Sequence, residues 1–568
     1  MSDNKPQKGT KVTNSIFENE MDRRTFIQKT SKVAGATLGL TLLGTLNSLP
    51  AGAASKSSVM KSNGKGPDLV FPVISDVHIN PQGGGLNYFQ NTLEQLNREV
   101  PNQDAFIVNG DLTDYGTVEE YDHFMNLYNQ YRQTNAESMF TIGNHEYWND
   151  LSAEGSQQRF CDKTNMESIY VHKVIKGYHF ILLGTETIQG QYSGKQIEWL
   201  KKRLEKANAD DWKKPIFVFH HFPLEGTIYG SQYSYDNNEI LYNALKPYPQ
   251  VISFSGHTHY PLDDPRIIHQ KDFTSIGSST GSYIWLDKGR IQGEVPVGAS
   301  FLNQALIVEV HKNKVIIKRR DIHNDDWTGE PFEIRYPAKT NKFKYNEHLD
   351  KKAPFFTRDA MVSIDPEMTT LTSLGILVNQ ATDDLNVHDY KIVARDVETG
   401  EVANEFLAFS EFYKDPVPNP LPLPVRGLKP NTTYEIEVHA IDSYEKVSQN
   451  SLKVLGKTVK GDEVKITLSK ETLNGTEGVL DVIVEHVRTP QNDWIGVYEE
   501  DVTPGTGLPS IWWMYTQPEN GKLSLTYDPK ENKYPDRFKE GVTYKMVYFY
   551  GSGYDAVASA TFSVRSAE

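Results

Sequence analysis

Five short segments each group side chains that could bind metal. They are Ser75-Asp76-Val77-His78, Asn109-Gly110-Asp111-Leu112-Thr113-Asp114, Gly143-Asn144-His145-Glu146, His220-His221-Phe222-Pro223 and Gly256-His257-Thr258-His259. Imidazole, carboxylate and amide oxygen form a mixed N/O donor set. Such a set suits zinc, iron, manganese or cobalt, and it lacks the thiolates of a closed structural zinc site. Seven candidate ligands are too many for one tetrahedral ion. They suit two ions about 3.5–4 Å apart that share a bridging carboxylate. In Asp76-x-His78 and His257-x-His259, a spacing of two on extended backbone would place both side chains on one face. Glycines before Asp111, Asn144 and His257 permit tight turns with close backbone approach.

Each segment ends an apolar run. Val70–Ile74, Ala105–Val108, Met139–Ile142, Ile216–Phe219 and Val251–Phe254 lead into the five in turn, and Phe180–Leu183 is a sixth run of the same kind. Between them lie amphipathic stretches at Tyr88–Val100, Val118–Arg132 and Lys195–Ala207. Apolar runs alternating with helical patterns predict an α/β domain, whose ligand sites collect outside the carboxyl ends of the strands. Ile307–Val310 and Val315–Lys318 predict a hairpin with Asn313 in its turn. Any one segment could be an ordinary turn; five in this order, each after a strand, point to a metal centre.

The set D-x-H, G-D-x-x-D, G-N-H-E, a His near Pro and G-H-x-H resembles the calcineurin-like metallophosphoesterases, over residues 67–342. The resemblance implies an α/β catalytic domain built as a β-sandwich flanked by helices. It also implies two divalent metal ions per chain (Mn, Zn or Fe). Asp76, His78 and His259 would bind one ion, Asn144, His221 and His257 the other, and Asp111 would bridge them. His221 fits the pattern two residues before Pro223, with His220 as the alternative ligand. His145 would stay unligated and face the substrate phosphate, and Asp114 would orient a ligand or His145. The implied chemistry is attack of metal-activated hydroxide on phosphorus. Purple acid phosphatases, a branch of the family, carry a tyrosine ligand three residues after the bridging aspartate. Here Asp114 stands at that position and Tyr115 one residue later, so a colourless enzyme is expected. Asp114 also tilts the expectation towards phosphodiesters over monoesters. A phosphatase or nucleotidase is the alternative. A surface-binding protein acting through its β domains is the alternative of another class.

After about Ala353 the helical period disappears. Leu428-Lys429-Pro430-Asn431-Thr432-Thr433 leads into Tyr434, Ile436, Val438 and Ala440, which alternate with polar residues as in a half-buried strand. Residues 354–458 resemble a fibronectin type III sandwich, with Pro416–Pro424 as an extended edge. Residues 460–568 read as a second β-sandwich with strands at Leu480–Val484 and Val542–Tyr550. If Trp512 and Trp513 share a strand they point to opposite faces, one into the core and one outward. The segment Leu224–Asn238, with Tyr229, Tyr233 and Tyr235, reads either as a pocket rim or as a plain surface loop.

The 568 residues carry a net charge of −15, with 38% hydrophobic and 11% aromatic residues. That is a globular composition of about three domains. The acidity argues against a nucleic-acid partner, so an anionic phosphate ester needs a local positive centre. One cysteine, Cys161, excludes an intramolecular disulfide. Residues 1–53 read as an export signal: Arg23-Arg24 precedes a moderately apolar run, and Ala51-Gly52-Ala53 ends it. The paired arginines resemble a twin-arginine signal, followed by a linker at 54–66. The expectation is a secreted or cell-wall-associated protein with no membrane span after signal removal. Its partners would be a phosphate ester and, through the C-terminal domains, a cell-wall or glycan surface.

Overall fold

The structure is a computed structural model. It describes residues 66–566 except 234–237, 288–292, 297, 461–463, 477, 488–492, 506–507, 519–521 and 551–552. The export signal expected at 1–53, and the linker but for its last residue, lie outside the described residues. Among the described residues no helix is long and apolar enough to cross a membrane.

The six apolar runs fall in strands that are buried along most of their length, and three further strands join them, of which Tyr170–Ile175 is only half-buried. They are β1 Leu69–Ile74, β2 Ala105–Asn109, β3 Glu137–Thr141, β4 Tyr170–Ile175, β5 Tyr178–Leu183, β6 Ile216–His220, β7 Val251–Ser255, β8 Ile268–Gln270 and β9 Thr274–Gly277. β1, β2 and β3 are parallel neighbours, and β1 also pairs antiparallel with Gln304–His311. The latter forms the predicted hairpin with Lys314–Asp321. A second sheet runs β4-β5-β6-β7-β9-β8. Its four inner neighbours, β5, β6, β7 and β9, are parallel.

Period-two alternation sorts β5 and β6 between two cores. Phe180, Leu182, Phe217 and Phe219 face the first sheet. Ile181, Leu183, Ile216 and Val218 face Leu200 and Leu204 of the helix Gly194–Asp211. Phe71 of β1 lies 5.0 Å, centroid to centroid, from both Phe180 and Phe217. The two sheets therefore form a sandwich with helices outside, as the family resemblance implied. Leu86–Glu99 and Val118–Tyr131 cover the predicted amphipathic stretches. Helices at Ala153–Thr164 and Asn238–Leu245 were not expected.

Two all-β units follow. Val362–Asp365, Leu374–Val378 and Leu421–Val425 form a three-stranded sheet. Its partner sheet has four strands in the order Val402–Phe409, Val387–Asp396, Thr433–Asp442 and Leu452–Lys457. The Pro-rich strand lies at an edge, where missing N–H donors cost no ladder bonds. The second unit pairs a three-stranded with a five-stranded sheet. Trp512 enters its core, and Trp513 lies on the other face against Trp494, as the alternation required. Each sandwich has a tyrosine hydroxyl accepting a backbone N–H five residues upstream: Tyr434 from Lys429 at 2.9 Å and Tyr544 from Lys539 at 2.7 Å. These are tyrosine corners, which pin the turn before a core strand.

Candidate metal centre

All five segments converge at the carboxyl ends of β1, β2, β3, β6 and β7. Their backbone is not extended. Asp76, His78, Asp111, His257 and His259 have φ of 54°, 54°, 49°, 69° and 57°, in the left-handed region. This corrects the expectation that the two-residue spacing works through an extended strand. The loops curl because they bond to one another: the N–H groups of Asp76, Val77 and His78 donate to the carbonyls of Gly110, Asp111 and Asp111 at 3.1, 2.8 and 3.1 Å. Left-handed non-glycine residues persist only where the surroundings over-determine them, and they cluster at functional sites.

The side chains form two groups around one carboxylate. Asp76, His78 and His259 offer atoms within 4.8 Å of one another, and so do Asp111, His221 and His257. His259 Nε2 is 3.2 Å from Asp76 Oδ1 and 3.1 Å from His78 Nε2. Asn144 Oδ1 lies 3.0 Å from both His221 Nε2 and His257 Nδ1. Asp111 Oδ2 is 3.1 Å from His221 Nε2, and 3.9 Å from His78 Nε2 and from His145 Nε2. It stands between the two groups. His220 turns away, its Nδ1 2.6 Å from the Phe222 carbonyl and its Nε2 2.5 Å from Ser253 Oγ. Of the two neighbours, His221 is the one in the cluster.

Protein acceptors fix the imidazoles. His78 Nδ1 lies 3.0 Å from Asp114 Oδ1, His221 Nδ1 3.0 Å from the Asn109 carbonyl and His259 Nδ1 2.9 Å from the Tyr283 carbonyl. Each Nδ1–H is thereby assigned as donor, which leaves Nε2 with its lone pair facing inward. His145 follows the same rule: its Nδ1 is 2.9 Å from the Asp114 carbonyl, and Trp148 packs on its ring at 3.7 Å. Asp114 thus serves both groups named for it, His78 through its carboxylate and His145 through its carbonyl.

Three contributors lay outside the expected site. Glu146, fully buried, accepts from the N–H groups of Asp111 (3.1 Å), Thr113 (3.0 Å) and Gly143 (2.7 Å), and from Thr113 Oγ1 (2.9 Å). It ties the loop after β2 to the loop after β3. Its place in Gly143-Asn144-His145-Glu146 was the available signal. Tyr283 and Phe222 pack on His259 and His257, at 4.4 and 4.1 Å between ring centroids. Tyr229, considered for a pocket rim, is instead buried. Tyr235 and the side chain of Tyr233 lie outside the described residues.

The electrostatics fit a cation. Burial pushes Asp111 up, but the His221 and His145 charges outweigh it and hold the carboxyl well below the usual range. Burial likewise opposes ionisation of Asp76, and His259 reverses it. Burial disfavours a charged His221, yet Asp111 pulls its pKa up to about 9. Burial, followed by the charge of His221, takes His257 down to about 3. Burial and then Asp111 push Glu146 up to about 8, against the three backbone N–H groups and the Thr113 hydroxyl that favour its anion. A proton shared between Asp111 and His221 does what a metal would do, and metal binding would displace it. The inward Nε2 atoms of His78 and His259, 3.1 Å apart, need a proton or a metal ion between them. The residues present therefore fit two metal ions.

A family model for calcineurin-like phosphoesterases matches residues 70–261. A probable glycerophosphodiester phosphodiesterase of Arcobacter nitrofigilis is 29% identical over 207 residues, 34% of this chain and 72% of that protein. A 3′,5′-cyclic adenosine monophosphate phosphodiesterase of Pseudomonas aeruginosa is 23% identical over 206 residues, 34% of this chain and 70% of that one. A purple acid phosphatase from yellow lupin seeds covers 47% of this chain and 53% of its own, at 15% identity and a TM-score of 0.37. The matched segment runs from β1 through the His257–His259 loop and contains every residue of the cluster. The α/β domain of this chain belongs to the calcineurin-like phosphoesterases, metal-dependent hydrolases of phosphoester bonds.

Proposed function

We propose that the domain hydrolyses phosphodiesters at a two-metal centre. Asp76, His78 and His259 would hold one ion, Asn144, His221 and His257 the other, and Asp111 would bridge them. The observation that carries this reading is the placement of Asp111 Oδ2 between His221 Nε2 at 3.1 Å and His78 Nε2 at 3.9 Å. When bound, the cations supply positive charge for the phosphate oxygens and acidify water for in-line attack. The protein does the rest. Asp114 and the carbonyls of Asn109 and Tyr283 hold three imidazoles in the ligating tautomer. His145, with Nδ1–H fixed on the Asp114 carbonyl, presents Nε2 to the leaving oxygen and, when protonated, gives it a proton. Trp148 limits rotation of that ring.

Two features favour diesters. Asp114 occupies the position of the tyrosine ligand and bonds His78. Both relatives described above are named for phosphodiesters. The test uses metal-stripped protein reloaded with Mn²⁺, Zn²⁺ or Fe²⁺, with Asp111→Ala as blank. The expected result is a higher kcat/KM on bis-p-nitrophenyl phosphate than on p-nitrophenyl phosphate, from a colourless enzyme. A monoester preference would make it a phosphatase or nucleotidase. No turnover at two bound metals would move its function to the β domains. We further propose export through residues 1–53, on the strength of Arg23-Arg24 and Ala51-Gly52-Ala53.

A further inference from the structure

The junction between the α/β domain and the first sandwich contains a buried polar network. His388 is the second residue of the sandwich strand Val387–Asp396 and is 2% exposed. Its Nε2 is 3.1 Å from the Tyr229 hydroxyl of the α/β domain, and its Nδ1 is 2.8 Å from Asp389. Tyr229 and Tyr260 are also buried, at 5% and 1% exposure. The Tyr229 hydroxyl bonds both the carbonyl and the N–H of Asp287, each at 3.0 Å. The Asp287 carboxylate accepts from the Tyr260 hydroxyl. The Tyr229 and Tyr260 rings lie 4.3 Å apart, and the Arg266 guanidinium, paired with Asp264, covers the Tyr229 ring at 3.6 Å. Ser443 of the sandwich also reaches Asp264, at 3.3 Å.

Tyr260 directly follows the ligand candidate His259. The loop His257–His259 holds two left-handed residues, a conformation that needs outside support. Hydrogen bonds from His257 N–H to Asp76 and from Trp285 N–H to the His259 carbonyl give part of that support, and the segment carrying Tyr229 packs against the same loop. At the adjacent Gly230, with φ of 82°, a Cβ would collide with the Tyr260 ring and press on Thr258. Buried polar pairs are poor sources of net stability compared with apolar packing, and their best-attested use is to fix one arrangement.

We infer that the first sandwich is a working part of the metal centre. His388 is a positioning residue that holds Tyr229, and through Tyr260 the His257–His259 loop, in its ligating form. This rests on the two-metal reading above. The experiment uses the whole chain, stripped of metal and titrated with Mn²⁺. Binding is read by equilibrium dialysis with metal analysis, and turnover by bis-p-nitrophenyl phosphate hydrolysis. His388→Ala and Tyr229→Phe are expected to weaken Mn²⁺ binding about tenfold, the scale set by groups that orient metal ligands. Saturating Mn²⁺ should restore kcat, and His388→Gln, which keeps a polar partner for the Tyr229 hydroxyl, should recover most of the affinity. Tyr229→Phe removes one hydroxyl and keeps the ring, so it answers even where His388→Ala fails to fold. Lys446→Met breaks the 2.9 Å pair with Asp350 at the same junction, off this path, and should leave Mn²⁺ binding unchanged. Mn²⁺ binding within twofold of the parent in both network variants overturns the inference. So does an equal loss in Lys446→Met, which would indicate general loosening of the junction. A parent chain that binds no Mn²⁺ sinks the two-metal reading itself, and this inference with it.

Discussion

His145 differs from the other imidazoles of the centre in what it faces. His78, His221 and His259 direct Nε2 at a carboxylate or another ligand within 3.2 Å, whereas His145 Nε2 stays 3.9 Å from Asp111. Its backbone N–H nevertheless donates to Asp111 Oδ1 at 2.9 Å, so its main chain supports the centre independently of its ring. His145→Ala should therefore keep two metals per chain and lose about 10²–10⁴-fold in kcat, the range of a positioned proton donor. Metal content by mass spectrometry beside kcat checks this. Loss of metal with an unchanged rate per bound ion would reverse the role. The ligand types and their order were legible because Asp, Asn and His after apolar runs have few other reasons to recur. Glu146 was not legible as a clamp. Three of its donors are backbone N–H groups, two of them over thirty residues away in sequence, which no side-chain pattern records.

Elements bring these residues together only because the loops at the strand ends interlock. Gly110 is one of the tight points: its φ is 90°, and a Cβ there would run into the His221 ring. Gly110→Ala should cost about 1–2 kcal/mol for the left-handed backbone alone. It should also displace His221, so that the protein folds with a lowered Tm and holds fewer than two Mn²⁺ per chain. A variant with full metal content would show that the loop yields more readily than the packing implies. The buried strands were readable as unbroken apolar runs, because both their faces meet a core. Ala153–Thr164 was not, since among its twelve residues only Ser156, Phe160 and Thr164 are buried. Its signal was local: the Ser152 hydroxyl accepts the Gly155 N–H at 3.2 Å, an N-cap. The left-handed ligand loops escaped the sequence reading for another reason. Spacing two fits an extended strand and a curled turn equally well, and contacts between loops decide which forms.

At the scale of the whole molecule, the cores do not stop at the expected boundaries. Tyr345, past the expected end of the α/β domain at 342, is buried in that domain's core, where Phe409 and Tyr413 of the first sandwich join it. Periodicity marks where helices cease and strands alternate, but not which apolar side chains cross a junction. The junction also gathers acid. Asp442, 3% exposed, accepts from the N–H groups of Tyr444 and Lys446 at 2.8 and 2.9 Å through Oδ1. Its Oδ2 has no hydrogen-bond partner. Burial, with Asp350 and Asp383 nearby, pushes its pKa up to about 6. The unfolded chain releases that proton near pH 3.9. Between these values the folded state binds the extra proton, so rising pH costs stability until the folded group also ionises. Asp442→Asn keeps an acceptor for both N–H groups and removes the charge. It should match the parent below about pH 4 and exceed it above about pH 6, by on the order of 1 kcal/mol after allowance for solvent screening. Urea unfolding at pH 4 and at pH 7.5 tests this. A gain of the same size at both pH values would mean that the amide stabilises by packing alone. A loss at pH 7.5 would mean that the Asp442 charge is held by Lys446, whose ammonium already pairs with Asp350 at 2.9 Å.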